Sequence, residues 1–145
     1  MSQVIDYNAP IVPGGNFLWR EYARLKDWNA FLNPTETQKR NAIILFGHVQ
    51  NLIRAPLGRG LIVGSGARNS AYVQYLRSRG IMAAPNGSHV TWEGVDLWPT
   101  GGMTVRQLWD FCHARWPGRM ERWEHTPGHV HLDTWQWGQR IRFNP

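Results

Sequence analysis

The sequence predicts a single α+β domain, and three observations carry that expectation. Runs with helical periodicity fill the first half of the chain, short strand-like runs gather late, and the two kinds do not alternate as they would around a parallel βαβ sheet. A length of 145 residues suits one core and is too short for two.

In chain order, residues 1–15, ending in "PIVPGG", read as an extended, irregular lead-in, which leaves residues 16–145 as the domain proper. "NFLWREYARL" has the spacing of one or two amphipathic helical turns. The clearest helix lies within "NPTETQKRNAIILFGHVQNLIRAPLG". Thr35 followed by Gln38 forms a capping box, Ala42, Leu45, Phe46, Val49, Leu52 and Ile53 share one face, and Pro56 and Gly58 stop it. "RGLIVGSG" reads as a short buried strand and "RNSAYVQYLRSRG" as a helix ending at Gly80. After the glycine-rich "GSHVTWEGVDLWPTGG" a third helix is expected from Thr104 to about Trp116. A capping box (Thr104 with Gln107) opens it, and Val105, Leu108, Trp109, Cys112 and Trp116 turn inward. Two strands, "GHVHLDTW" and "QRIRF", close the chain, and a hairpin around Trp137 and Gly138 is expected to join them.

Composition narrows the function classes. Sixteen Lys and Arg against ten Asp and Glu give a net charge of +6, which favours anionic partners, but the charges are scattered and form no tail. Nucleic-acid binding would rest on that charge alone, because no basic-aromatic recognition motif accompanies it. Cys112 is the only cysteine, which excludes an internal disulfide and a thiolate metal cluster. "MSQVIDYNAP" is not a secretory leader, and no window holds the roughly 20 apolar residues of a membrane helix. A chain made in the cytoplasm, not inserted in a membrane and monomeric, is the expectation. Nine tryptophans are many for this size. Trp109 and Trp116 fit core positions by periodicity, whereas Trp92 and Trp135 are expected nearest the site described next.

The chemistry concentrates in two segments. In a strand, alternate side chains share a face, so "HVHLD" projects His129, His131 and Asp133 one way and Val130 and Leu132 the other. Upstream, His89 and Asp96 stand seven residues apart in a stretch where Gly87 and Gly94 allow the chain to turn back past a bound ion. A catalytic zinc takes three protein ligands and keeps one position open. His89, Asp96 and one of His129 or His131 supply such a set.

These segments, with "GSGARNSAY" before them, resemble the zinc D-Ala-D-Ala carboxypeptidases and their relatives. Those relatives include the D-Ala-D-Ala dipeptidases of vancomycin resistance and the small L-alanyl-D-glutamate endopeptidases of phage lysis. The family signature is S-x-H-x-x-G-x-A-x-D with a distal histidine in a strand and an upstream S-G-x-R, and the resemblance spans about Val63 to Phe143. It implies a hedgehog/DD-peptidase-like domain, with a small antiparallel sheet carrying a zinc site between flanking helices. It also implies one Zn²⁺ per chain held by His89, Asp96 and His131. Arg68 would grip a substrate carboxylate or polarise the scissile carbonyl, and His129 would handle protons. Three positions depart from the signature. Gly87 stands where serine belongs, with Ser88 displaced by one; Trp92 replaces the glycine; Gly94 replaces the alanine. The acid that some branches carry three residues before the last ligand is here Gly128.

The resemblance implies a zinc peptidase of the DD-carboxypeptidase or endopeptidase type, acting on peptidoglycan stem peptides in the manner of a phage lysin and reaching the wall after release. A zinc ion lowers the pKa of its water from ~15.7 towards ~7, and a side chain must then carry a proton to the leaving amine. His129 is the first candidate, with Glu124 and Glu93 in reserve. Asp133 is expected either to orient a ligand histidine or to pair with an arginine. Ser65, Trp92 and Glu124 complete the residues expected around the ligands or the substrate. The competing reading is a zinc-containing wall- or peptide-binding module that has lost turnover, suggested by Trp92 and Gly128. His48, His113 and His125 are expected at the surface.

Overall fold

The computed structural model describes residues 4–145 and is α+β. A short helix, α1 (Trp19–Tyr22), leads into a two-stranded ribbon of β1 (Arg24–Leu25) and β2 (Ala30–Phe31). The long helix α2 (Glu36–Val49) begins as its sequence dictates, with Thr35 Oγ1 accepting the Gln38 N–H at 3.2 Å while Gln38 Oε1 accepts the Thr35 N–H at 3.0 Å. It continues through a π-helical turn, Gln50–Arg54, into α3 (Ala55–Leu57). The widened turn immediately precedes Pro56, which has no N–H to donate and whose ring would strike the carbonyl four residues back in a regular helix.

Five strands form the main sheet, in the spatial order β3 (Leu61–Ser65), β4 (Gly94–Pro99), β6 (Val130–Asp133), β5 (Arg119–Glu121) and β7 (Arg142–Phe143). All neighbours are antiparallel except β5 and β7, which run parallel. Helix α4 (Ser70–Ser78) follows β3, and α5 (Val105–His113) lies between β4 and β5. One sheet face is apolar: Val95, Leu97, Met120, Val130 and Leu132 are fully buried. They share a core with Leu45, Phe46 and Val49 of α2 and Leu108 and Cys112 of α5. A smaller cluster joins α4, through Tyr72, Val73 and Leu76, to Leu25 and Ala83.

The C-terminal third departs from the expected layout. The expected hairpin is absent, because β6 pairs with β4 and β5 whereas β7 pairs only with β5. The intervening loop is tied down by the Pro117 carbonyl, which accepts the N–H groups of both Gly138 and Arg140. Helix α5 stops at His113 rather than near Trp116. Residues 114–118 form the turn into β5, a strand for which the sequence offers no periodic signal.

Trp92 and Trp116 are the largest fully buried side chains among the described residues, and Trp92 has φ +64°, a left-handed conformation that is costly for a residue bearing a Cβ. Packing holds it there. Its ring meets Tyr22 edge-on at 5.8 Å and Trp19 at 6.5 Å. The substitution Trp92→Ala should destabilise the protein by about 3–5 kcal/mol through lost packing. Trp92→Gly should be less damaging than Trp92→Ala despite its extra chain entropy, because glycine relieves a strain of roughly 1–2 kcal/mol. Urea unfolding of the two variants checks the ranking, and an alanine variant more stable than the glycine one refutes it.

Candidate metal centre

The polar face of the sheet carries the site, and strand register assembles it. Asp96 on β4 is the direct cross-strand partner of His131 on β6 and, on its other side, of Ser65 on β3. A bulge between Val63 and Ser65 brings the end of β3 into that alignment. Arg119 on β5 and Gly94 on β4 both face Asp133. Alternation thus places Arg119, Glu121, Asp96, His131 and Asp133 on one face, opposite the apolar residues between them.

His89 arrives from the turn before β4, and its Nδ1 lies 2.7 Å from the Gly66 carbonyl oxygen. A carbonyl only accepts, so Nδ1 carries a proton and Nε2 is the ring nitrogen left to face the cluster. That Nε2 lies 3.3 Å from Asp96 Oδ1. Gly66 is required at this point because a Cβ there would fall 2.2 Å from the Tyr22 carbonyl oxygen. Gly94 is required for a similar reason, since a Cβ would meet Ser88 Oγ at 2.2 Å and His131 Cε1 at 3.1 Å.

His131 sits between two carboxylates. Its Nε2 is 2.8 Å from Asp133 Oδ2 and its Nδ1 2.8 Å from Asp96 Oδ1. The Asp133 bond fixes the ring and leaves Nδ1 to face Asp96 and His89. His89, Asp96 and His131 each offer one ligand atom, all within 4.8 Å of one another, and all three residues are buried. This cluster could hold a metal ion. The donor set fits one: two imidazoles, each pinned through its far nitrogen by an acceptor, and a carboxylate between them.

The electrostatics point the same way. Burial alone would push the His131 imidazole down, but its hydrogen bonds to Asp133 and Asp96 outweigh that and raise its pKa to about 10. Burial would raise Asp96, yet the charges and hydrogen bonds of His89 and His131 hold it well below the usual carboxylate range. The pocket of two carboxylates thus demands positive charge, and in the metal-free protein a proton on His131 supplies part of it.

Around this centre lies a cleft of about 530 Å³ whose lining includes Arg68, Glu121, His125, His129, Trp135 and Phe143. Arg68 is held by Ser65, whose hydroxyl oxygen accepts from Nη2 at 2.9 Å and Nε at 3.3 Å, and Nη2 stands 3.8 Å from Asp96 Oδ2. His129 Nε2 lies 3.6 Å from Asp96 Oδ2 and 3.5 Å from Glu121 Oε2. Burial lowers the His129 pKa, but Glu121 and Asp96 more than offset it, and the net shift is upward. Glu121 Oε2 is itself buried and makes no hydrogen bond of good geometry.

Several expectations need correction. Trp92 is in the core and does not line the cleft, whereas Trp135 does. Glu124 is exposed in a turn and Glu93 lies outside the cleft; the carboxylate beside Asp96 in the cleft is Glu121, on a strand too short to carry a periodic signal. His125 is exposed, as expected, and also lines the cleft. Asp133 both orients His131 and pairs with Arg119. His113 stacks on Trp109 at 4.7 Å, and His48 on Trp137 at 4.0 Å. No protein family, curated protein or solved structure matches the chain.

Two outcomes follow from this geometry. His89→Ala should lose most of any bound divalent metal after dialysis, as read by elemental analysis; an unchanged content refutes the ligand assignment. The pKa of His131 in the folded protein, about 10, lies above its ordinary 6.5. Its contribution to the stability of the metal-free protein is therefore complete below 6.5 and is lost as pH rises towards 10. Metal competes with that proton, so affinity should rise with pH over the same window and binding should release protons. Titration calorimetry in buffers of different ionisation enthalpy reads the release, and binding without it contradicts the charge balance.

Proposed function

We propose that the chain is a zinc-dependent peptidase of the hedgehog/DD-peptidase-like fold, acting on stem peptides of peptidoglycan. The observation that carries the reading is the His89–Asp96–His131 cluster at the floor of an open cleft, with a guanidinium on one side and an acid–imidazole pair on the other. Two imidazoles and one carboxylate suit zinc, with a coordination position left for a substrate or water. The backbone adds support. Trp92, which stands where the resembled signature has glycine, adopts a positive φ that glycine would supply without strain.

When bound, zinc would polarise a scissile carbonyl and make an attacking water acidic near neutral pH. Arg68 keeps Nε and Nη2 on Ser65, which leaves Nη1 without a protein hydrogen bond among the described residues and free for a substrate carboxylate or carbonyl. Glu121 would accept the proton of the attacking water, with His129 Nε2 at 3.5 Å to stabilise the carboxylate and share the proton. As the C–N bond breaks, the proton passes to the amine nitrogen. Gly128 lacks the acid that some relatives carry, and Glu121 stands in the cleft from a neighbouring strand. Trp92 leaves the cleft open. Both grounds for a binding-only module therefore lose force. No helix among the described residues is long and apolar enough to cross a membrane.

The test is hydrolysis of defined muropeptides, with released fragments identified by mass. Glu121→Gln should retain zinc and lose about 10²–10⁴-fold in turnover. His129→Ala should lower turnover more than metal affinity, and Arg68→Ala should keep the metal yet lose cleavage. No cleavage of any muropeptide by the zinc-loaded protein sinks the proposal. Full activity in Glu121→Gln removes that residue from the mechanism.

A further inference from the structure

Arg119 lies outside the ligand set and makes a two-point ion pair at the site. Its Nε and Nη2 donate in parallel to Asp133 Oδ1 and Oδ2, at 3.0 and 2.9 Å. Asp133 is fully buried, and its carboxylate also accepts the Trp135 N–H at 3.1 Å and lies 2.8 Å from His131 Nε2. The guanidinium is itself clamped. Its Cζ lies 4.6 Å from the ring centroid of Trp135 and 4.1 Å from that of Phe143. Phe143 also meets the His131 ring edge-on at 5.9 Å.

We infer that Arg119 is a positioning residue for the metal centre, acting through Asp133 on His131. The inference rests on the metal reading of the cluster and extends it by a residue from β5 and by the aromatic pair that locks it. A carboxylate can hydrogen-bond a ligand imidazole in several rotamers, and only one of them turns His131 Nδ1 towards Asp96 and His89. The planar two-point fork of Arg119 selects that rotamer, and the Trp135–Phe143 sandwich fixes the fork. Lysine would keep the charge without the fork. The same arrangement gives the C-terminal strand a task. Pairing β7 alongside β5 places Phe143 against both Arg119 and His131, so the last strand supplies part of the packing around the candidate centre.

The experiment is titration of the metal-free full chain with Zn(II) and Co(II), together with the visible spectrum of the Co(II) form and the melting temperature of the metal-free form. Arg119→Gln and Arg119→Lys should each bind metal roughly 10–100-fold more weakly than wild type and shift the Co(II) bands. Asp133→Asn should do the same, and the double variant Arg119→Gln/Asp133→Asn should be no weaker than Asp133→Asn alone, because both act through one imidazole. A lower melting temperature with unchanged affinity and spectrum would make Arg119 merely structural and overturn the inference. So would additive losses in the double variant. Should Arg119→Gln fail to fold, Arg119→Lys decides: wild-type affinity and spectrum in that variant refute the geometric role. Wild type that binds neither ion sinks the metal reading itself, an outcome distinct from wild type that binds and variants that bind equally well.

Discussion

Two carboxylates, Asp96 and Asp133, are buried on either side of a single imidazole, and much of the surrounding architecture answers that concentration of charge. A buried anion is costly unless it is paired and hydrogen-bonded. Asp133 is paired by the Arg119 fork. Asp96 has His131 Nδ1 at 2.8 Å, His89 at 3.3 Å, His129 at 3.6 Å and Arg68 at 3.8 Å, but no two-point partner. The two carboxylates therefore differ in kind: one is matched by a two-point guanidinium, and the other faces several single-point partners, as a candidate metal ligand would. Such an asymmetry separates a ligand from the group that orients a ligand.

The sheet supplies the rigidity that this arrangement needs. Its apolar face is fully buried against α2 and α5, so strand register is fixed by the core, and a slip of one residue would turn every site residue inward. Glycines at 66 and 94 let backbone and side chains approach more closely than any Cβ permits, one beside His89 and one beside His131. Trp92 shows the converse: a strained backbone kept in place by aromatic packing close to the site. Functional groups on strands braced by a core hold their positions more firmly than groups on loops.

The proposed function rests on the different surroundings of the candidate ligands and of the His129–Glu121 pair. The ligand imidazoles are enclosed and tethered through their far nitrogens. His129 and Glu121 lie on the open side, where Glu121 Oε2 lacks a hydrogen-bond partner and His129 is partly exposed. A buried acceptor without a partner is expensive in a structural role and useful in a catalytic one. The basic surface, at +6 overall, complements an anionic cell wall, which agrees with the proposed substrate.

The sequence by itself determined the helices and the two ends of the metal site. Capping boxes at Thr35 and Thr104 and the apolar periodicity of α2 are local signals, and locality makes them legible. Alternation in "HVHLD" put His131 and Asp133 on one face for the same reason. Tertiary structure alone decided which distant groups complete the site. Arg119 and Glu121 flank Met120 in a strand of three residues, too short to give a period, and its place between β6 and β7 is set by cross-strand pairing. The parallel return of β7 in place of a hairpin has the same origin, since hydrogen bonds from residues 138 and 140 to the Pro117 carbonyl span about twenty positions of chain. Pairing energies between remote segments leave no trace in local composition, and they turned a three-residue ligand pattern into an enclosed centre.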